Sequence, residues 1–370
     1  MKRITSLILI IISHYNDAQV GNVLYGERNL ATTKSSLFFD KFGIIYPNHL
    51  ISDSSLTQHN ASISSWYSEN EEKFIVISKN YNCAFSNYSI ENCSTLNDSI
   101  ANRFSREINS QSNSYSSITF LIHGYRKSYL SQNGDVSSVQ SFQNIKDSIS
   151  KIQQTNTKFI EIYWDAMYDC CFSTSPKKNK LLFELFEGAQ INAALVGISM
   201  RKIINEIKKD EINIITHSLG AKVAAYSLFN MDENNQKTPS NKLINIFMIA
   251  PAISGNMITD NYFKRNSAID YKSKDNYRLI ILYNENDFAL RKKDDKFLLF
   301  GPGTYKYGNT SLGCNYKNCI SKLEYEFKIN YSTSKIEVYD ASSIGKKHHL
   351  ENYSSSKEFK EIIKSIYPID

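Results

Sequence analysis

Residues Thr216-His217-Ser218-Leu219-Gly220 set a serine between an apolar run and a series of small residues. Ile212, Ile214 and Ile215 precede it, and Ala221, Ala224 and Ala225 follow at spacings a helix allows, so the stretch reads as strand, sharp turn, helix. A turn of that kind lifts the serine hydroxyl above the sheet edge, and small flanking residues let the strand and helix backbones approach closely; these are the mechanics of a nucleophile elbow. The usual pattern is Gly-x-Ser-x-Gly, and Thr216 occupies the first glycine position. A β-branched residue fits there only where the neighbouring strand leaves room. An ordinary strand-to-helix turn carries the same short string, so the rest of the chain must supply a base, an acid and donors for a developing negative charge.

A serine hydroxyl is a poor nucleophile until a base takes its proton, and that base must be held in one tautomer by an acceptor. Of the seven histidines only His348 and His349 lie beyond the elbow. Both fall in the loop between the last expected strand and the last helix, at the carboxyl edge where open α/β sheets bind ligands. Asp287 ends the intervening strand in the tip Asn284-Glu285-Asn286-Asp287, with Glu285 as the second candidate acid. The order Ser218, Asp287, then His348 or His349 is that of an α/β-hydrolase and differs from the orders in chymotrypsin-like and subtilisin-like enzymes. Upstream, the apolar run Ile118 to Ile122 ends in His123-Gly124-Tyr125. A glycine-containing turn after such a strand can offer one backbone N–H to an oxyanion, and the residue after the nucleophile offers another, here Tyr125 and Leu219. His123 then reads as a buried, hydrogen-bonded structural residue, because that task needs only main-chain donors. His217 reads as a side chain packed beside the sheet with no proton role.

These residues need a scaffold that brings distant strand ends together. Strands are expected at 72–81, at Ile118–Ile122 within 116–128, at 157–166, before the elbow from Ile212, at 242–251, in the apolar part of 277–290 ahead of its polar tip, and at 333–342, and helices at 98–108, 136–154 and 181–208 and after the elbow. The strand at 157–166 carries Trp164 and Asp165 near its end. Ser355-x-x-Glu358 reads as a capping box opening a last helix with Phe359, Ile362, Ile363 and Ile366 on one face, stopped at Pro368. Continuous apolar strands alternating with helices imply a doubly wound, mostly parallel sheet. The glycine-bearing insert at 291–332 lacks a phosphate-loop spacing and reads as loop and hairpin, while residues 19–71 suggest no role.

The 370 residues, 41% hydrophobic, suffice for one large domain or two modest ones and argue against wholesale disorder. Met1-Lys2-Arg3 and the apolar run at 4–13 have the layout of a secretory signal, with a cut after Ala18. Its removal takes the formal charge from +6 to +5, through the loss of Lys2, Arg3 and Asp17. The remaining Lys pairs are scattered, which argues against nucleic-acid binding. No later segment reaches transmembrane length, so the mature chain is expected without an integral span, in a periplasmic or extracellular setting. Six cysteines suit an oxidising compartment, with local bridges open to Cys83–Cys93 and Cys314–Cys319, and Cys170 and Cys171 adjacent. Neither Cys-x-x-Cys nor His-Glu-x-x-His occurs, so no metal-site spacing is offered.

FLIHGYRKS, the Trp164 strand end, ITHSLG, IAPA, YNENDFAL and the late histidine loop together resemble the α/β-hydrolase superfamily. Within it they are most similar to the bacterial family termed alpha/beta hydrolase of unknown function, with its His-Gly-aromatic, Ser-Met-Gly-like and Asp-x-Ala-Leu motifs. The resemblance covers about residues 72–367 and implies one hydrolase domain over 72–370, with Ser218 as nucleophile and Asp287 as orienting acid. In the family's motif the histidine precedes a small or polar residue and then an apolar one. His348-His349-Leu350 fits this with His348 as base, and His349 is the alternative. The expected activity is that of an exported, carboxylesterase- or lipase-like serine hydrolase acting on a small-molecule or lipid ester, with no cofactor required. A catalytically silent binding protein on the same fold, and an acyltransferase using the same triad, are the alternatives.

Overall fold

A computed structural model describes residues 36–47, 67–86, 89–91, 93–125, 138–164, 166, 176–229, 242–259, 276–293, 296–297, 312–330 and 334–368. The expected signal segment 1–18, Asp165 and the Cys170-Cys171 pair lie outside them, as does much of 19–71. In chain order the elements begin with β1 (Ser36–Phe39), α1 (Glu71–Asn80), the hairpin β2 (Ala84–Ser86) and β3 (Ser89–Glu91), and α2 (Ser94–Gln111). The first crossover unit is β4 (Ser117–Ile122), α3 (Ser138–Ile152) and β5 (Thr157–Trp164). The long α4 (Pro176–Glu206) leads to β6 (Glu211–His217) and α5 (Gly220–Leu228). There follow β7 (Leu243–Ile249), α6 (Asn256–Thr259), β8 (Asn276–Tyr283), β9 (Lys292–Lys293) and β10 (Lys296–Phe297). The chain closes with α7 (Cys319–Asn330), β11 (Lys335–Asp340), α8 (Leu350–Ser354) and α9 (Lys357–Ile366).

Seven strands form one sheet in the order β1-β5-β4-β6-β7-β8-β11. Every adjacent pair in it is parallel. The apolar runs read from the sequence are its centre: β4 is buried along its whole length, and β6 and β7 at all but their first residue. Helices α3, α8 and α9 pack together as one group, and α2, α4, α5, α6 and α7 form a second connected group. A sheet wound on both faces buries both sides of its strands, which is why they show little polar alternation. From β4 the chain goes to β5 on one side and then back across to β6 on the other. The topological switch point therefore lies between β4 and β6, where open α/β sheets form their crevice. No described helix is long and apolar enough to cross a membrane.

Four expectations are corrected. Residues 72–81 form helix α1 rather than a strand. Phe74 and Ser78, four apart, are its buried positions, while Glu71 and Glu72 in the first turn and Lys79 in the last complement the helix dipole. The insert at 291–332 holds the small β9–β10 hairpin but also helix α7, in which Ile320, Leu323 and Phe327 recur at helical spacing and are buried. The last helix is capped by Ser356, whose Oγ accepts from Phe359 N at 3.1 Å. Ser355 instead ends the separate helix α8, donating to Asn352 O at 2.9 Å. Of the two local bridges, Cys83–Cys93 is formed and Cys314–Cys319 is not. The stretch 36–39, to which the sequence lent no role, is the edge strand paired with β5 from Ser36↔Glu161 to Phe39↔Trp164.

Candidate active site

Ser218 occupies the turn between β6 and α5 with φ 52°, a left-handed backbone that costs a non-glycine residue about 1–3 kcal/mol. Backbone bonds hold it there. Its N–H donates to Ile249 O at 3.0 Å, and its carbonyl accepts from Ala252 N at 3.0 Å and Ala221 N at 3.2 Å. Close approach explains the glycines. A Cβ on Gly220 would lie 2.6 Å from His123 O and 2.7 Å from Ile122 O, and one on Gly124 would lie 2.7 Å from Ser218 Cβ. The turn after β4 is thus pressed directly against the elbow. Thr216, in register with Ile122 and Met248, is accommodated in the first glycine position, fully buried. Its Oγ1 has no hydrogen-bond partner among the described residues.

The distant residues converge. His348 Nε2 lies 3.1 Å from Ser218 Oγ, and His348 Nδ1 lies 2.8 Å from Asp287 Oδ2. Asp287 has a side-chain exposure of 0% against 16% for His348, so the acid is sealed while the imidazole edge reaches solvent. Among the described residues the carboxylate accepts four hydrogen bonds: Oδ1 from Ala289 N (2.8 Å) and Leu290 N (3.0 Å), Oδ2 from His348 Nδ1 and from the Tyr353 phenol (2.8 Å). Burial, and then the charge of Asp287, push the Tyr353 phenol far above its ordinary range, so it stays protonated and donates. An ionised carboxylate can only accept, which puts the His348 proton on Nδ1 and leaves the Nε2 lone pair facing Ser218.

The loop carrying His348 is tied down at several points. Asn284 Nδ2 donates to Gly345 O at 2.8 Å and to Lys347 O at 3.2 Å. His217 Nε2 donates to His348 O at 2.8 Å. His217 therefore lies against the loop that carries His348, a contact its position in the motif did not disclose. His123 is buried, its Nδ1 donating to Gly124 O at 2.9 Å and its Nε2 accepting from Trp164 N at 3.2 Å. Its ring stacks on Trp164 with centroids 5.5 Å apart. His349 stands at the N-cap of α8 with its ring 6.3 Å from that of Phe288. Phe288, 37% exposed, sets its ring edge-on to His348 at 6.2 Å.

Leu219 is the N-cap of α5, at the end of the helix where backbone N–H groups have no intrahelical acceptor and the dipole favours negative charge. Tyr125 follows Gly124 and is braced edge-on by Phe186 of α4 at 5.2 Å. Asn284 and Tyr353 carry no motif that marks them for a role in the sequence. The one signal for Tyr353 is its place five residues beyond His348 and three beyond Leu350, on one face of a short helix.

A seven-stranded parallel sheet covered on both faces, with a strand–turn–helix serine at its switch point, is the α/β-hydrolase fold. The chain belongs to the family described as alpha/beta hydrolase of unknown function (DUF900), whose pattern matches residues 97–293. That span includes Ser218 and Asp287 and ends before His348. Among solved structures, an esterase from Pyrococcus furiosus is similar at 12% identity with a TM-score of 0.32, over 69% of this chain and 83% of that one. No curated protein matches the sequence.

Proposed function

We propose that this protein is an exported serine hydrolase that cleaves carboxylic esters of the carboxylesterase or lipase kind through an acyl-enzyme. Ser218 Oγ attacks the acyl carbon as His348 Nε2 takes its proton. Asp287 holds the imidazole on its Nδ1 side and stabilises the imidazolium that forms. The Leu219 and Tyr125 amides receive the oxyanion. His348 then returns the proton to the departing alkoxide, and water repeats the sequence to free the acid and restore the serine. The reading rests above all on the contacts of 3.1 Å and 2.8 Å that join Ser218 Oγ, His348 and the sealed carboxylate of Asp287. Export is supported by the basic-then-apolar start of the chain and by the Cys83–Cys93 bridge.

The test is covalent. A fluorophosphonate probe should label the folded chain at Ser218, and Ser218→Ala should abolish both the label and turnover of a panel of nitrophenyl esters of graded chain length. A folded wild type that takes no label overturns the proposal and leaves a binding role on the same fold. Label without hydrolysis, with product formed on addition of an alcohol or amine acceptor, would convert the assignment to an acyltransferase.

A further inference from the structure

We propose that Tyr353 is a positioning residue for this reaction, fixing the orientation and charge distribution of the Asp287 carboxylate through its phenol O–H; this rests on the reading of Ser218, His348 and Asp287 as a working triad. Tyr353 is fully buried and its Oη lies 2.8 Å from Asp287 Oδ2, the same oxygen that receives the His348 Nδ1 proton. The other oxygen is already occupied by Ala289 N and Leu290 N. Those two backbone donors fix where Oδ1 sits, and the phenol supplies the second donor on Oδ2. His348 and Tyr353 lie in one short segment, so the loop and the first turn of α8 close on one carboxylate from two sides.

The phenol also draws negative charge from Oδ2 and so moderates its pull on the imidazolium. The titratable groups facing this point are Asp287 beyond β8, His217 at the end of β6 with its ring 5.0 Å from His348, Tyr353 itself, and Cys314 close enough to act on the phenol. Removing the O–H while keeping the ring leaves Oδ2, among the described residues, with the imidazole as its one remaining donor. That strengthens the hold on the protonated base, so more base is needed to free it, and it loosens the carboxylate's orientation.

The experiment is Tyr353→Phe in the full chain, with nitrophenyl acetate as substrate across a pH series. A hydrogen bond to a charged group corresponds to about a 10- to 100-fold loss, expected here in kcat with KM within about twofold. The acidic limb of kcat/KM should move to higher pH, and the downfield Nδ1 proton resonance of His348 should shift. Fluorotyrosine at position 353 keeps the phenol, makes it a stronger donor and should move the limb the other way; this arm stands even if the phenylalanine variant unfolds. An unchanged kcat and pH profile in a Tyr353→Phe chain that still takes the fluorophosphonate overturns the role of Tyr353 alone. An unlabelled wild type overturns the hydrolase reading beneath it.

Discussion

Replacing Asp287 by Asn tests whether the chain of contacts at the sheet's rim acts as a unit. The substitution keeps the shape of the side chain and changes one oxygen into a donor. Oδ1 has two backbone N–H groups to satisfy, at 2.8 and 3.0 Å, so the amide oxygen goes there and the amide nitrogen turns toward His348 and Tyr353. The phenol can rotate its O–H and accept from that nitrogen. The imidazole has to present its Nδ1 lone pair, which moves its proton to Nε2, opposite Ser218 Oγ. The base is then occupied before the reaction begins. A unit charge about 4 Å from the imidazolium at an effective dielectric near 20 is worth about 4 kcal/mol, or about a thousandfold in rate. The reversed tautomer extends the loss to about 10⁴-fold, the size seen when the same change is made in a serine–histidine–aspartate triad. The fold should survive, because each former partner of the carboxylate still has a hydrogen bond. The assay is kcat/KM on nitrophenyl acetate together with the rate of fluorophosphonate labelling, alongside urea unfolding. Asp287→Asn with activity within tenfold of wild type would refute the assignment of Asp287. A folded but inactive variant supports it.

Two further outcomes concern stability. Lys222, on the elbow helix, is 8% exposed, and burial lowers its pKa from 10.5 to about 8, with the Tyr226 ring 5.5 Å from its ammonium. The folded state then binds fewer protons than the unfolded state between those values, so stability should rise by about 3 kcal/mol as pH climbs from about 8 to 10.5 and be lost again on the way down. Lys222→Met should flatten that rise in urea titrations and stabilise the chain at pH 7; the same slope in the variant would contradict the assignment. Thr216→Val removes a buried hydroxyl whose Oγ1 has no hydrogen bond among the described residues and should raise unfolding free energy by about 1 kcal/mol, so a lower urea midpoint would show that the hydroxyl has a use.

What the sequence disclosed about the fold followed the strength of each period. The strands at 117–122, 157–164, 211–217, 243–249 and 276–283 are long apolar runs and lie where such runs predicted them. The errors arose where local pattern and tertiary context disagreed. In Glu71–Asn80 the unbroken run Phe74-Ile75-Val76-Ile77 reads as a strand, but the segment is a helix that buries Phe74 and Ser78, with Phe74 against the Tyr46 and Tyr67 rings. In 319–330 the helical period was present in Ile320, Leu323 and Phe327, yet the glycines before it drew the whole insert toward loop. Ser36–Phe39 is too short to carry a period of its own. It is a strand because β5 offers it a free edge.

The candidate site was legible in proportion to how far its chemistry depends on residue type rather than on approach in space. A candidate nucleophile, acid and base fall at strand ends in one fixed chain order, so Ser218, Asp287 and His348 stand out although 69 residues separate the first two and 61 the last two. Supporting residues have no such signature, because no motif or chain order marks which tyrosine, asparagine or histidine will meet them in space. What makes Tyr353, Asn284 and His217 relevant is that β6 and β8 end level with one another on either side of β7, with His217↔Ile249 and Ile249↔Leu282 in register. That register brings His217 to the His348 carbonyl and Asn284 to the carbonyls of Gly345 and Lys347, while α8 brings the phenol to Asp287. A one-residue slip of either strand would reverse the faces of its side chains and undo every one of these bonds together. Precision at the serine is therefore a property of the parallel sheet, and changes that shift β6 against β7 should cost activity before they cost stability.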